Sequence, residues 1–303
     1  MRISLIGTGR VGSTLAFQLL LRGLAEELVL VDRNREIAEG EALDLQHAEA
    51  FTSHPMAVRA GELSDTAGSD LIVISCSVPW SPDYASRFDI GRDNLTIFKE
   101  IVPPLAEFSP DAKILVVSNP VDVMTYHVIE LSGFGPNRVF GTGTLIDSGR
   151  FRALLSKKLG IHPDDLRAYI LGEHGDTQFP VFGMASAGGA RIAEDAATHE
   201  LSRLASLSGY DVVHCKGHTN FAISMAATLV VEAIAWDTRR TMPLSVHTNG
   251  FLGIDDVCLS LPVVVGKEGI TQVLHPDMGE NEIAALKKCA RTVRHGIEQS
   301  LLE

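Results

Sequence analysis

Short β-branched runs alternate with longer amphipathic stretches through the first half of the chain. Apolar runs at residues 3–6, 28–32, 56–59, 70–75 and 113–118 read as strands, with 138–140 as a sixth. Between them, residues 11–23, 36–48 and 88–108 carry a helical period, and Pro103-Pro104 is expected to break or kink the last of these. Strands that are apolar without alternation belong in a parallel sheet covered on both faces. After Gly141 the pattern changes. A helix is expected over 145–159, a strand over 167–171, a Gly- and Ala-rich stretch near 185–191, and a long helix over 220–239. Strands follow around 257–265, and a last helix over 280–302. The expected architecture is α/β: a doubly wound parallel sheet over residues 1–141, then an α+β domain over 142–303.

Two domains suit a chain of 303 residues and place a cleft between them. With 45% hydrophobic and 21% charged residues the chain has the apolar surface to fold. A formal net charge of −12 repels phosphate backbones and anionic membranes, so neither nucleic acid nor membrane is an expected partner, and a small ligand is. No apolar run approaches the ~20 residues of a membrane span. The opening Met1-Arg2-Ile3 enters the first strand directly, so no signal peptide and a cytoplasmic location are expected. Cys76, Cys215, Cys258 and Cys289 lie far apart with no metal-ligand spacing, and read as reduced, mostly buried thiols. No metal site is expected.

The first strand runs into Gly7-Thr8-Gly9-Arg10-Val11-Gly12 and a helix, and Asp32 closes the second strand. This strand, glycine turn, helix and downstream acid together form a dinucleotide signature. Gly7 makes the turn, Gly9 lets backbone approach a pyrophosphate, and Gly12 permits close helix packing. Arg10 and Val11 lie in the same loop. Asp32 would accept bonds from ribose hydroxyls and repel a 2′-phosphate, which favours NAD over NADP, although Arg33 weighs slightly the other way.

Four further segments combine polar groups with irregular backbone: residues 77–87, 118–122, 141–152 and 172–176. Alone, each has an ordinary reading: His174 as a satisfied histidine, Asp147 and Arg150 as an i,i+3 helix pair, Asn119-Pro120 as a turn, Arg87 as a loop cap. Together, in this order and spacing, they resemble the L-lactate/malate dehydrogenase family of NAD-dependent 2-hydroxy acid dehydrogenases, from Met1 to the last helix. The fold implied is a Rossmann domain followed by a substrate domain. The resemblance makes His174 the acid and base that exchanges a proton with the substrate C2 oxygen, and Asp147 the carboxylate that orients its ring. It makes Arg150 the clamp on the substrate carboxylate, Arg87 the group that polarises the C2 carbonyl, and Asn119 a substrate hydrogen-bond donor whose peptide to Pro120 is cis. It also places Asn94, Val117 and Asn119 against the cofactor.

The same resemblance puts Ser81 at the position that reads the substrate's third carbon. Lactate enzymes usually carry glutamine there and malate enzymes arginine, and no cation lies between Cys76 and Arg87. A second carboxylate buried beside Ser81 would lack a counter-ion, so malate is disfavoured. Thr219 matches the small polar pocket residue of lactate-type enzymes, and L-lactate/pyruvate is the first choice. Malate, or a branched-chain substrate admitted by the small Ser81 and the unusual Trp80 loop, is the alternative. A reading from another class is a non-catalytic NAD-binding structural protein. Arg152 and Arg167 fall where some bacterial lactate dehydrogenases hold an anionic effector, and otherwise read as surface ion-pair partners. A homodimer or homotetramer is expected.

Overall fold

Leucine, isoleucine and valine at successive strand positions leave neither face of a sheet fit for water, and helices cover both. The computed structural model describes residues 1–79, 84 and 87–302, with only the backbone at Arg87. The first half comprises β1 (Arg2–Ile6), α1 (Arg10–Arg22), β2 (Glu27–Val31), α2 (Arg35–Glu49), β3 (Ala57–Ala60), β4 (Leu71–Ile74), α3 (Arg87–Phe108), β5 (Lys113–Val116), α4 (Val121–Ser132) and β6 (Val139–Gly141). The second half comprises α5 (Leu145–Leu159), β7 (Leu166–Arg167), β8 (Ile170–Leu171), β9 (Phe179–Pro180), β10 (Ser186–Ala187), β11 (Ala190–Arg191), α6 (Ala196–Lys216), α7 (Phe221–Ala235), β12 (Arg240–Phe251), β13 (Ile254–Gly266), β14 (Gly269–Val273) and α8 (Glu280–Ser300).

The six strands of the first half pair in parallel in the order β3-β2-β1-β4-β5-β6. Alternate residues serve opposite faces: Leu5, Leu30, Val73 and Leu115 enter one core, and Ile6, Val29, Ile72 and Ile114 the other. Strand order reverses between β1 and β4, and the chain leaves the carboxyl ends of these neighbours in opposite directions, opening a crevice there.

The sheet continues past Gly141. The antiparallel strands β12, β13 and β14 extend it to nine strands, joined through a pairing of Ser245 with Gly141. The halves of the chain therefore share one sheet.

Several elements differ from the sequence expectation. Helix α3 runs unbroken through Pro103 and Pro104. Leu95, Phe98, Val102 and Leu105 are buried along one helical stripe. The carbonyls that the missing N–H groups would have bonded, those of Lys99 and Glu100, belong to exposed residues that water can reach. Helix α4 was hidden because Val121, Val123, Met124, Thr125 and Val128 are all buried, leaving no polar face to give a period. Helix α6 was missed as well, although Asp195 and Thr198 form its capping box. The long helix expected to 239 ends at Ala235, and Asp237 and Arg239 adopt φ of +47° and +52°. Residues 167–171 form two short strands on different partners. Of the cysteines, all four are free; Cys258 and Cys289 are buried, Cys76 partly so, and Cys215 is exposed. Burial pushes the Cys76 thiol up to about 12, so it is unreactive.

Replacing the exposed Pro103 by alanine restores a donor inside a packed helix. Pro103→Ala is expected to raise stability by about 1–2 kcal/mol in urea denaturation, the helical penalty of proline less its restraint of the unfolded chain. An unchanged or lower midpoint would contradict this account of α3.

Candidate active site

At the end of β1 the backbone turns at Gly7, with φ of +95°, and a Cβ there would lie 2.5 Å from the Cys76 nitrogen. A Cβ on Gly12 would lie 2.0 Å from the Gly7 carbonyl oxygen, so α1 reaches the strand this closely only as glycine. Gly9 caps α1, and a Cβ on it would meet nothing within 4 Å, because it faces the crevice. No acid stands in the first turn of α1, and its N-terminus favours an anion. One Asp32 oxygen accepts from the Thr8 N–H at 2.8 Å and the Thr8 hydroxyl at 3.2 Å, and the other from the Asn34 N–H at 3.0 Å. Asp32 thus ties down the glycine turn. The crevice is a cavity of about 970 Å³, lined among others by Gly9, Arg10, Val11, Asp32 and Thr219. These features fit an extended dinucleotide.

Asn94 is fully buried. Its oxygen accepts from the Val78 N–H at 2.8 Å, and its nitrogen donates to the Ser77 hydroxyl at 3.1 Å and the Asn119 carbonyl at 2.8 Å. It therefore fixes the cleft-lining segment after β4 to the Asn119-Pro120 peptide, which is cis. Val117, one residue past β5, is buried and adjoins Ser118, whose hydroxyl donates to the Cys76 carbonyl at 2.5 Å. Arg87 opens α3, but its side chain, and all of Trp80 and Ser81, lie outside the described residues.

The second cluster forms where α5 faces the segment after β8. Asp147 is buried, with one oxygen 2.6 Å from His174 Nδ1 and the other accepting from Arg150 Nη1 at 3.0 Å. The imidazole side chain remains 23% exposed. Because Nδ1 faces a carboxylate, it carries the proton, and Nε2 points away from Asp147. Behind the ring, the His174 N–H donates to Asp122 at 2.7 Å, and the Ser245 hydroxyl donates to the other Asp122 oxygen at 2.5 Å. Gly209 of α6 lies over the clamp, where a Cβ would be 3.2 Å from the Arg150 guanidinium nitrogens.

These charges set one another's protonation. Burial disfavours the His174 cation, but contact with Asp147 and the nearby Asp122 outweigh it and hold the imidazole above its ordinary range. Burial would lift the Asp147 carboxyl, yet the His174 and Arg150 charges keep it below the usual value. Asp122 is pushed up by burial to about 6, against the opposing pull of Ser245 and His174.

The structure thus brings together Asp147, Arg150 and His174, and separately Gly7, Gly9, Gly12, Asp32 and Thr219. Asn94 and Asn119 link the second group toward α4, which carries Asp122. Asp122 closes the 118–122 segment singled out from sequence but was given no role there, and Ser245 and Gly209 were not singled out.

Arg152 and Arg167 form no ion pair among the described residues. With Arg240 and Tyr169 they line a cavity of about 190 Å³, and the Arg152 Nε is buried without a partner. The reading as ion-pair partners does not hold.

Comparison with known proteins agrees along the whole chain. Residues 1–141 match the family model described as lactate/malate dehydrogenase, NAD binding domain, and residues 144–303 that of the lactate/malate dehydrogenase alpha/beta C-terminal domain. The chain is similar to the L-lactate dehydrogenase of Synechococcus sp. (strain JA-3-3Ab), 38% identical over 98% of this chain and 99% of that one. It is likewise 38% identical to the L-lactate dehydrogenase of Clostridium perfringens (strain SM101 / Type A), over 100% of this chain and 98% of that one. Among solved structures, a lactate dehydrogenase from a Medee basin deep-sea metagenome library superposes with a TM-score of 0.95 at 31% identity, covering 99% of both chains. A minor L-lactate dehydrogenase from Enterococcus mundtii gives 0.95 at 30% identity, over 100% of this chain and 99% of that one.

Asp147→Asn removes the main charge that supports the imidazolium while burial remains. The His174 titration, followed by NMR of the ring, is raised in the parent protein and is expected to fall in the variant. A titration that stays in place would refute the electrostatic coupling.

Proposed function

Since the chain belongs to the lactate/malate dehydrogenase family, we propose that it interconverts L-lactate and pyruvate with NAD as hydride carrier, through His174, Asp147, Arg150, Arg87 and Asn119. The observation that carries the reading is the buried Asp147 carboxylate, bonded to His174 at 2.6 Å and to Arg150 at 3.0 Å. NAD, when bound, supplies the two-electron chemistry at the nicotinamide ring. Gly7, Gly9 and Gly12 with the α1 N-terminus would hold its pyrophosphate, and Asp32 its ribose. Arg10, Val11, Asn94 and Val117 complete that site.

In the reductive direction, protonated His174 donates its Nε2 proton to the substrate C2 oxygen as charge develops there. Asp147 holds the ring in the tautomer this needs and balances the imidazolium before transfer. Arg150 clamps the C1 carboxylate through a planar fork that lysine lacks. Arg87 polarises the C2 carbonyl, and Asn119 donates a further bond. Because His174 must be protonated, reduction is supported below its raised pKa and declines as pH rises through it. Thr219, on the cleft wall, and Ser81 would face the third carbon. The absence of a cation at residues 77–86 weighs against a second substrate carboxylate, as in oxaloacetate.

We also propose that Arg152, Arg167 and Arg240 bind an anionic effector, supported by the buried, unpartnered Arg152 Nε. Exposed Phe17 and Leu21 on α1, with Phe221 and Met225 on the adjoining α7, form an apolar face suited to a homodimer or homotetramer. No helix among the described residues is long and apolar enough to cross a membrane, and a cytoplasmic location is part of the proposal.

The test is kcat/KM by NADH oxidation with pyruvate, oxaloacetate and a branched 2-oxo acid. Pyruvate is expected to lead, and His174→Ala to lower kcat by about 1,000-fold with NADH affinity nearly intact. An active His174→Ala enzyme, or a preference for oxaloacetate, would overturn the assignment. A sugar bisphosphate is expected to lower KM for pyruvate several-fold, an effect that Arg152→Gln abolishes; identical kinetics with and without it would remove the effector site.

A further inference from the structure

His174 and Asp147 sit on different elements, and no bond within either element fixes their 2.6 Å contact. Thr144 caps helix α5, and the His174 segment begins at Gly172. The two elements are bonded directly, through the Thr144 and Ser148 hydroxyls to Ile170 of β8, and both points are held in addition by one residue of β13. The Ser260 hydroxyl accepts from the Thr144 N–H at 2.9 Å, and the Ser260 backbone exchanges bonds with Gly172 at 2.7 and 3.0 Å. Directly across the hairpin from Ser260 stands Ser245 of β12. Its hydroxyl donates to Asp122, which in turn accepts the His174 N–H.

We propose that Ser245 and Ser260 are positioning residues, a paired register mark on the β12–β13 hairpin that sets where the acid–base histidine meets its carboxylate; the proposal rests on the functional reading above. Both side chains are fully buried between apolar strand neighbours, where a hydroxyl is retained at a cost unless it is bonded. The facing chain is shaped to receive them. A Cβ on Gly143 would lie 2.3 Å from the Ser260 hydroxyl and 2.6 Å from the Ser245 nitrogen, and one on Gly141 3.1 Å from the Ser245 Cβ. The glycines of the Gly141-Thr142-Gly143-Thr144 run thus let the main chain lie on the serine pair. The two hydroxyls divide the work: Ser260 holds the α5 side, which carries Asp147 and Arg150, and Ser245 holds the α4 side, where Asp122 meets the backbone of His174. Charged groups facing His174 are Asp147 and Arg150 from α5 and Asp122 from α4, with Glu173 adjoining it in its own segment. Neither serine touches the glycine turn that receives the cofactor.

Ser245→Ala and Ser260→Ala, each in the full-length enzyme, test this against a merely structural role. Each is expected to lower kcat for pyruvate about tenfold and to move the pH above which reduction fails downward. The His174 ring titration by NMR should move with it, while NADH affinity stays within twofold. Variants whose kcat, pH limb and ring titration coincide with the parent, whatever their melting temperature, would overturn the proposal, as would failure of both to fold. If one variant does not fold, the other decides, because the two act on opposite sides of the contact. Should the parent enzyme turn over no 2-oxo acid, the functional reading fails instead, and the ring titration still decides whether the pair positions His174.

Discussion

A carboxylate stripped of water is the constraint around which this molecule is organised. Burying the Asp147 charge costs several kcal/mol in isolation, and the fold offsets that by surrounding it with His174 on one oxygen and Arg150 on the other. In the proposed reaction these two partners are the groups that carry a proton and hold an anion. Each answers an electrostatic demand of the protein before substrate arrives. Burial of Asp147 and its contacts with His174 and Arg150 therefore go together in the folded chain.

That assembly draws on distant stretches of chain. The parallel strands β1 to β6 build the crevice for the dinucleotide, and the antiparallel hairpin β12–β13 extends the same sheet under the acid–base centre. Asn94 fastens the cleft wall to the Asn119-Pro120 peptide, and α4 begins one residue later with Asp122 behind His174. A chain of hydrogen bonds and short covalent steps thus runs from the cofactor side to the proton-transferring side, with little freedom at any step.

The parallel sheet and the glycine turn were legible because their physics is local: period, β-branching, and glycines whose Cβ would collide with neighbouring backbone. The chemical residues were legible only as a set, through family resemblance, since His174 or Arg150 alone has an ordinary reading. What escaped was written in tertiary contacts. Helix α4 buries Asp122, Thr125 and His127 among its apolar residues and so shows no amphipathic period, and β12 starts directly after the expected helix, in a stretch assigned to no element. Ser245 and Ser260 look like imperfections in their strands until the hairpin pairs them. Pro103 and Pro104 argued for a break that burial of Phe98, Val102 and Leu105 overrides. Ser81, which the resemblance implies reads the third carbon, lies outside the described residues, so the proposed choice among 2-oxo acids rests on the charge of that segment and on the relatives.

Asp32 carries a less obvious implication. Its carboxylate would select the cofactor, yet it also accepts three bonds from the protein, two of them from Thr8 inside the glycine turn. Discrimination and scaffold are one group. An exchange at residue 32 toward a phosphorylated cofactor therefore acts on two things at once, because it removes the repelling charge and also alters the acceptor of the Thr8 and Asn34 N–H groups. The charge that would choose the cofactor and the geometry of the loop that would hold it are thus tuned together.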